Sequence, residues 1–260
     1  MKVVILCGGK GTRLREETEF KPKPMVTVGG LPLLWHIMKI YAHYGHKDFI
    51  LCLGYKGEMI KEWFLKYEEL MHDFTLSRRD GARRIEHHEP NRLEDWSITF
   101  ADTGATTNTG GRVAKIRKYL GKDEDFFLTY GDGVADIDIN KTYAAHKEKG
   151  KAVTVTAIHL PFNYGVMDVA DGHARTFDEK PVVYGRINGG FFVCNQKIFS
   201  YLSPDDSCVL EHRLKDLARD AQLAAYEHDG FWYAVNTHKE WEEINRMVEI
   251  GKTPWRVWER

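Results

Sequence analysis

The chain has 260 residues, 43% of them hydrophobic, and a formal net charge of -1. This length and composition suit one large α/β domain or two small ones with a sizeable core. The near-zero charge argues against a general nucleic-acid binder, and no apolar run approaches the roughly 20 residues that span a bilayer.

The N-terminal part alternates short apolar runs with amphipathic stretches. Val3–Leu6 predicts a buried strand that ends at a glycine pair, and residues 33–44 carry apolar side chains at helical spacing. Asp48–Leu53 predicts a second buried strand, and residues 56–70 predict a second amphipathic helix. This βαβα order is typical of a parallel sheet that is covered by helices.

Residues 72–95 form a long polar segment for which we predict no regular structure. A connection of this length is unusual inside a compact domain. We therefore expect an arm that packs on a neighbouring subunit, and hence a homo-oligomer.

From residue 96 onward, predicted strands and helices surround a loop rich in threonine and glycine, DTGATTNTGGR (102–112). Strands are predicted over 96–101, Asp125–Tyr130, 151–159, on both sides of Asp171-Gly172, and over 187–195. Helices are predicted over 113–120, 141–149, 211–221 and 238–250. Since no repeat, low-complexity segment or linker interrupts them, we expect one domain over residues 1–260.

Cysteine and histidine usage indicates neither a disulfide framework nor a metal cluster. Cys7, Cys52 and Cys194 lie in apolar stretches, and no CxxC pair occurs. The histidines lack a spaced set of Cys or His partners. The N-terminus also lacks the features of a secretory signal peptide, so we expect a cytoplasmic protein with reduced, buried thiols.

The stretch after the first strand, LCGGKGTRLREETEFKPKPMV (6–26), combines a glycine loop with two Lys-Pro pairs. Glycines let backbone N–H groups approach phosphate oxygens, while Thr12 adds a hydroxyl and Arg13 a planar fork. The stretch matches neither the P-loop pattern nor the dinucleotide fingerprint. Because prolines hold the backbone extended, Lys21 and Lys23 are presented by a stiff loop, which indicates a polyphosphate site.

These residues resemble the signature of the sugar nucleotidyltransferase family, whose members join a nucleoside triphosphate to a sugar 1-phosphate. The resemblance extends to LLWHIMKIYAHYG, DFILCLGYKG, DTGATTNTGGR, YGDGVADIDI, FDEKP and INGGFFV. It is close over residues 1–194 and looser beyond, apart from GFW (230–232) and KTPWRVWE near the C-terminus. The motifs are most similar to those of the CTP-using members.

The resemblance implies an α/β fold, a Rossmann-like three-layer sandwich with a mixed, mostly parallel central sheet of the nucleotide-diphospho-sugar transferase type. It implies a Mg²⁺-dependent reaction of CTP with glucose 1-phosphate or a similar phosphorylated acceptor, in which pyrophosphate leaves. The N-terminal half would bind the nucleotide and the C-terminal half the acceptor. Because the attacking phosphate is already anionic, the chemistry needs positioning and charge neutralisation rather than a base.

The same resemblance assigns expected roles to individual residues. The expected catalytic residues are Arg13, Lys23, Asp132 and Lys180. The expected nucleotide contacts are Leu6, Cys7, Gly8, Gly9, Lys10, Gly11, Thr12, Arg13, Lys23, Thr107, Arg112 and Gly131. The expected acceptor contacts are Tyr130, Glu179, Lys180, Asn188 and Gly189. The expected Mg²⁺ ligands are Asp132, which follows a predicted parallel strand, and Asn236.

Two places depart from the family pattern. Asn236 lies in GFWYAVNTH where relatives carry a second metal-binding aspartate, so we expect a lower Mg²⁺ affinity. His212 and Arg213 stand where a Glu-Pro pair is expected beside the acceptor. This exchange points to an acceptor with more negative charge or fewer hydroxyl groups.

Several alternatives stay open at this point. The acceptor could be phosphoglutamine, another sugar phosphate or a phosphonate, and the nucleotide could be UTP or dTTP. A non-catalytic nucleotide-binding regulatory module is a further alternative, which only Asn236 favours. The expected partners are CTP and a small phosphorylated acceptor, with no nucleic acid and no membrane.

Overall fold

The computed structural model describes residues 1–88, 94–159, 165–179 and 185–260. The strands, numbered along the chain, are β1 (Val3–Leu6), β2 (Thr27–Val28), β3 (Leu31–Pro32), β4 (Asp48–Leu53), β5 (Phe74–Ser77), β6 (Arg84–His87), β7 (Ser97–Asp102), β8 (Asp125–Tyr130), β9 (Gly133–Ala135), β10 (Val153–Ile158), β11 (Val166–Ala170), β12 (His173–Asp178), β13 (Ile187–Asn188), β14 (Phe192–Asn195), β15 (Leu223–His228) and β16 (Trp232–Ala234).

The α-helices are α1 (Arg15–Thr18), α2 (Leu33–His43), α3 (Gly57–Leu65), α4 (Tyr67–Met71), α5 (Thr109–Lys115), α6 (Arg117–Leu120), α7 (Ile139–Lys149), α8 (Leu210–Arg219) and α9 (His238–Glu249). Short 3-10 turns include Lys23–Met25, Arg79–Gly81, Gln196–Ser200 and Val257–Glu259. In the described part of the chain, no helix has both the length and the apolar composition that a bilayer crossing requires.

An eight-stranded mixed sheet forms the centre of the fold, in the order β13-β10-β14-β8-β1-β4-β7, with β15 also paired to β10. Strands β8, β1, β4 and β7 are parallel neighbours. Strand β14 runs antiparallel to both β8 and β10, whereas β15 runs parallel to β10. The predicted mixed, mostly parallel sheet is therefore confirmed.

Two apolar layers cover the faces of this sheet. Along β1, Val3 and Ile5 join one buried cluster, which includes α2 side chains and Trp255. The alternate residues Val4 and Leu6 join a second cluster with side chains from α5 and α8. Because β1 is buried on both faces, it reads in the sequence as a continuous apolar run. This arrangement confirms the three-layer sandwich.

Several predicted elements have different limits in the structure. The helix predicted over 56–70 is broken at Lys66, whose φ of -115° and ψ of 6° separate α3 from α4. The segment 72–95, predicted to be irregular, contains the antiparallel hairpin β5–β6. The strand predicted over 187–195 is interrupted, because Gly190 and Phe191 have positive φ angles. Strand β15, which the sequence analysis did not predict, pairs with the far edge of β10.

Helix α5 begins inside the loop that was predicted to run from 102 to 112. Its start is fixed by the distant segment 205–208, since Asn108 N–H donates to the Asp206 carbonyl and Gly111 N–H to the Cys208 carbonyl. A local sequence pattern cannot reveal a contact between segments so far apart in the chain. Arg112 is consequently a helical residue rather than a loop residue.

A buried imidazole connects α2 to the C-terminal segment. The His36 Nε2 atom lies 2.8 Å from the Val28 carbonyl oxygen, and the Trp255 indole N–H lies 3.4 Å from His36 Nδ1. Both His36 and Trp255 are fully buried. Burial is the main cause that lowers the pKa of His36 to about 4. The neutral imidazole is therefore the form that fits this packing.

This lowered pKa predicts a loss of stability in acid. The unfolded His36 binds its proton near pH 6.5 and the folded one near pH 4, so stability falls as the pH decreases across that window. The full loss amounts to about 3 kcal/mol, at roughly 1.4 kcal/mol per pKa unit. We expect His36→Gln to flatten the dependence of the free energy of unfolding on pH, measured by urea denaturation between pH 7 and pH 4. His173→Gln, which alters an exposed side chain, should leave that dependence unchanged.

Candidate active site

A cavity opens at the carboxyl edge of the sheet, beside β1 and β8. From β1 the chain proceeds to β4 and β7 on one side and then returns to β8 on the other side. Loops that follow such neighbouring strands diverge, and the crevice between them is where open α/β sheets bind ligands. The cavity is lined by Leu6, Cys7, Gly8, Gly9, Gly11, Lys23, Pro24, Thr107, Asn108, Thr109, Arg112, Tyr130, Gly131 and Asp132. The structure thus brings together most of the residues predicted to bind the nucleotide.

The buried guanidinium of Arg112 organises one wall of this cavity. It donates to the carbonyl oxygens of Leu53 (2.9 Å), Gly104 (2.8 Å) and Gly8 (3.0 Å), and to the Thr103 hydroxyl (2.7 Å). A Cβ atom at Gly8 would collide with this guanidinium. Because Gly8 has no side chain, the Arg112 guanidinium can approach the backbone at this position. The sequence analysis did not predict this packing role.

These contacts modify the role predicted for Arg112. Burial is the main cause that lowers its pKa, although an arginine side chain keeps its charge in proteins. The contacts occupy its Nη1 atom and one side of Nη2. A direct contact with the pyrimidine would have to use the remaining N–H groups, so this part stays a prediction.

Thr107 lies next to Arg112 and belongs to a second polar cluster. Its hydroxyl oxygen lies 2.6 Å from Asp206 Oδ1, and Lys115 Nζ lies 2.8 Å from the same carboxylate oxygen. The hydrogen bond from Lys115 is the largest cause that lowers the pKa of Asp206 to about 2. The sequence analysis missed Asp206 and Lys115, because 91 residues separate the two side chains.

Lys23 is presented to the cavity by a packed turn. The chain is extended at Pro22 and then enters the Lys23–Met25 turn, in which Met25 N–H donates to the Pro22 carbonyl over 2.8 Å. Pro24 is buried, and a Cβ atom at Gly131 would lie 2.8 Å from the Pro24 ring. The missing side chain at Gly131 thus lets the Lys-Pro turn pack against the end of β8.

The ammonium of Lys23 contacts two oxygen atoms from distant parts of the chain. Lys23 Nζ lies 2.7 Å from Asp132 Oδ2 and 2.9 Å from Asn236 Oδ1. Asp132 and Asn236 flank the two-stranded ladder β9–β16, and Val235 N–H donates to the Asp132 carbonyl over 2.9 Å. The structure therefore brings together the two residues predicted as metal ligands.

This pair of oxygens suits a small hard cation. Mg²⁺ binds oxygen ligands, commonly through one or two carboxylates together with substrate phosphates and water. Asp132 offers a carboxylate and Asn236 an amide oxygen, and both converge on one positively charged atom. No group of three or more His, Cys, Asp or Glu residues suited to a metal occurs in the ranges that the structure covers. The donor set thus leaves coordination positions for phosphate oxygens.

The cavity also contains a cysteine, Cys7, which is fully buried. Burial is the main cause that raises the pKa of this thiol well above its ordinary value. The protonated form of the thiol is therefore favoured.

Tyr130, a predicted acceptor contact, joins two neighbours through its hydroxyl group. The hydroxyl donates to Glu211 Oε1 over 2.7 Å and accepts from Asn188 Nδ2 over 3.3 Å. The other Glu211 oxygen accepts from the Thr109 hydroxyl over 2.8 Å. Burial is the main cause that raises the pKa of Tyr130, and Glu211 acts in the same direction. Tyr130 is therefore a neutral hydroxyl group with a fixed orientation.

Glu211 was not predicted as a site residue, whereas its neighbours His212 and Arg213 were expected beside the acceptor. In the structure, His212 and Arg213 line a different depression, with Ser200, Tyr201 and Cys208, and Arg213 pairs with Asp216. Helix α8 directs the carboxylate of Glu211, not the basic pair, towards Tyr130. The structure therefore places an acidic side chain, not the basic pair, beside Tyr130, and the expected exchange of character at the acceptor stays a prediction.

The other predicted residues that the structure describes are not among those that line this cavity. Gly189 is buried, and its carbonyl accepts from the Trp232 indole N–H over 2.7 Å. Lys10, Thr12 and Arg13 are exposed in the loop after Gly9, and Glu179 is exposed after β12. Their roles stay predictions. Lys180, predicted to be catalytic, lies outside the described residues.

Sequence comparisons find similarity to nucleotidyltransferases. A family model described as nucleotidyl transferase matches residues 2–250. A probable glucose-1-phosphate cytidylyltransferase of Bacillus subtilis is 49% identical over 259 residues, which cover 99% of this chain and 100% of that protein. The glucose-1-phosphate cytidylyltransferase of Salmonella typhimurium is 46% identical over 260 residues, which cover 100% of both.

Solved structures share the fold at lower sequence identity. The UDP-glucose pyrophosphorylase from Acinetobacter baumanii superposes with a TM-score of 0.70 at 19% identity, covering 99% of this chain and 96% of that one. HddC from Yersinia pseudotuberculosis superposes with a TM-score of 0.68 at 22% identity, covering 95% and 99%. These likenesses concern the fold, and they confirm the predicted fold class.

The buried Arg112 network generates a prediction about stability. Replacing Arg112 with Met would leave the carbonyls of Gly8, Leu53 and Gly104 without this donor. We expect the free energy of unfolding to fall by about 3 kcal/mol, because several charge-assisted hydrogen bonds are lost in a buried place. Urea denaturation followed by circular dichroism measures this change. Arg83→Met, at an exposed arginine, is the matched control and should cost little; equal losses in the two variants would contradict the role assigned to Arg112.

Proposed function

The chain belongs to the nucleotidyl transferase family, and we propose that it is a cytidylyltransferase that converts CTP and glucose 1-phosphate into CDP-glucose and pyrophosphate. The two full-length relatives at 49% and 46% identity carry this activity in their names. The observation that carries the proposal is the convergence of Lys23, Asp132 and the glycine loop on one cavity.

The proposed reaction is a single displacement at the α-phosphorus of CTP. The acceptor phosphate attacks, the bond to the leaving pyrophosphate breaks, and no covalent enzyme intermediate forms. Backbone N–H groups of the glycine loop and the cations Lys23 and Arg13 would hold the triphosphate, as oriented donors and charges do in other electrostatic sites. Lys180 would serve the acceptor phosphate in the same way.

Mg²⁺ is the proposed cofactor. Asp132 and Asn236 would hold it, and when bound it would supply charge neutralisation at the phosphates. Thr107 and Arg112 would shape the pyrimidine pocket. Lys23 would bind phosphate oxygens when it leaves its contacts with Asp132 and Asn236.

The acceptor would bind among Tyr130, Glu179, Asn188 and the backbone of Gly189. Glu211 supports glucose 1-phosphate over a poorly hydroxylated acceptor, because it keeps a carboxylate and an oriented tyrosine hydroxyl in this part of the site. The argument for a more negative acceptor rested on His212 and Arg213, which line a depression apart from Tyr130.

We further propose a cytoplasmic homo-oligomer of a single-domain chain. The hairpin β5–β6 supports the predicted arm, since Phe74 is 36% and Leu76 is 42% exposed, values that a partner subunit would reduce. The four cysteines are all free thiols, as expected in a reducing compartment.

The test of the proposed function is pyrophosphate release from CTP and glucose 1-phosphate in the presence of Mg²⁺. We expect Lys23→Met to lower kcat/KM by at least about 100-fold, the usual cost of a lost electrostatic donor. Lys21→Met is the matched control, because Lys21 lies in the same Lys-Pro stretch but pairs with Glu17. We expect its activity to stay near that of the unmodified protein.

The same assay measures the specificity for the nucleotide and for the acceptor. CTP should be preferred over UTP and dTTP in direct competition, and glucose 1-phosphate over other sugar phosphates, phosphoglutamine and phosphonates. If no combination of nucleotide and acceptor released pyrophosphate, the result would contradict an enzymatic function and favour a nucleotide-binding module.

A separate prediction concerns Glu211. Glu211→Ala removes the partner that orients the Tyr130 hydroxyl, so we expect the KM for glucose 1-phosphate to rise about tenfold, as for one lost charge-assisted hydrogen bond. The KM for CTP should stay unchanged. His212→Ala, the next residue on α8, is the control. A rise in the KM for CTP instead would contradict the assignment of Glu211 to the acceptor side.

A further inference from the structure

The two oxygens that suit a divalent cation are already engaged by a cation of the chain itself. Lys23 Nζ lies within hydrogen-bonding distance of Asp132 Oδ2 and of Asn236 Oδ1. The side chain of Lys23 is 16% exposed and that of Asp132 is 30% exposed. The ammonium therefore sits in a partly dehydrated place between them.

The charges in this cluster balance without any ligand. Asp132 contributes one negative charge, Lys23 one positive charge, and the Asn236 amide none. The nearest further carboxylate on the same segment, Glu240, accepts from the backbone N–H groups of Asn236 and Thr237 and caps helix α9. A divalent cation that enters this neutral cluster gains no net attraction until Lys23 leaves.

We propose that Lys23 acts as an internal cation that masks the Asp132–Asn236 oxygen pair, so that a divalent cation binds there tightly only together with a nucleoside triphosphate. This inference rests on the proposed function, because the triphosphate supplies the second set of negative charges. Lys23 then exchanges its carboxylate partner for phosphate oxygens. The divalent cation then binds the Asp132 and Asn236 oxygens that Lys23 has left.

The backbone holds the oxygen pair in place independently of the ammonium. The hydrogen bond between Val235 N–H and the Asp132 carbonyl and the β9–β16 ladder align the two segments. The capping box of Thr237 and Glu240 fixes the chain directly after Asn236. Removing the ammonium should therefore uncover a preformed pair rather than collapse it.

Linkage makes this exchange measurable. If the triphosphate and the divalent cation both displace the same internal contact, each raises the affinity of the protein for the other by the same factor. Without Lys23, the divalent cation should bind to the free protein, and the coupling should shrink.

The experiment uses Mn²⁺ as the probe, since electron paramagnetic resonance counts free and bound Mn²⁺ directly and requires no turnover. In nucleotide-free protein, we expect Lys23→Met to bind one Mn²⁺ at least tenfold more tightly than the unmodified chain. Lys21→Met, which alters the neighbouring lysine, should bind like the unmodified chain. The double variant K23M/N236A should lose this gain in Mn²⁺ affinity, because one oxygen of the Asp132–Asn236 pair is removed.

A second measurement adds a non-hydrolysable CTP analogue. It should tighten Mn²⁺ binding at least tenfold in the unmodified protein and clearly less in Lys23→Met, after correction for Mn²⁺ bound by the free analogue. Circular dichroism checks that each variant is folded, and Lys23→Gln replaces Lys23→Met if the latter is not. Equal Mn²⁺ affinities of the unmodified and Lys23 variants, or a gain that persists in K23M/N236A, would overturn the proposal. Because the nucleotide-free titration involves no CTP, failure of the proposed activity is judged separately by pyrophosphate release.

Discussion

The site depends first on one buried guanidinium. Arg112 reaches from helix α5 to the ends of the three parallel strands β1, β4 and β7, where it donates to Gly8, Leu53 and the 103–104 segment. A desolvated arginine is tolerated only when its donors are satisfied, and carbonyl groups at the open ends of parallel strands need such donors. This mutual requirement sets the position of the glycine loop, and hence of the glycines that line the cavity.

A second part of the cavity lining depends on Lys23, whose ammonium joins three parts of the chain. Lys23 arrives on a turn stiffened by proline, Asp132 follows the central strand β8, and Asn236 follows the short strand β16. The ammonium and the carboxylate are charges that would cost free energy if each were left alone in this partly buried place. Together they form an ion pair with no net charge.

Local patterns predicted the central elements well and the connecting elements poorly. The bounds of β1, β4 and β8 are the predicted ones, because strands buried on both faces need continuous apolar runs. The start of helix α5 and the hairpin β5–β6 were missed, since the first lies where segment 205–208 covers the chain and the second lies in a polar, exposed stretch. Neither feature leaves a periodic apolar signal.

The amino-acid sequence by itself determined the chemistry of this protein: a glycine loop, a lysine held between prolines, and an aspartate after an apolar strand. These signals are local, since glycine, proline and a strand end act on the chain within a few residues. Only the tertiary structure decided which side chains meet, such as Glu211 with Tyr130 and Lys23 with Asn236, which lie 81 and 213 residues apart. Such pairings depend on how the sheet orders its strands, and strand order is a property of the whole packed chain.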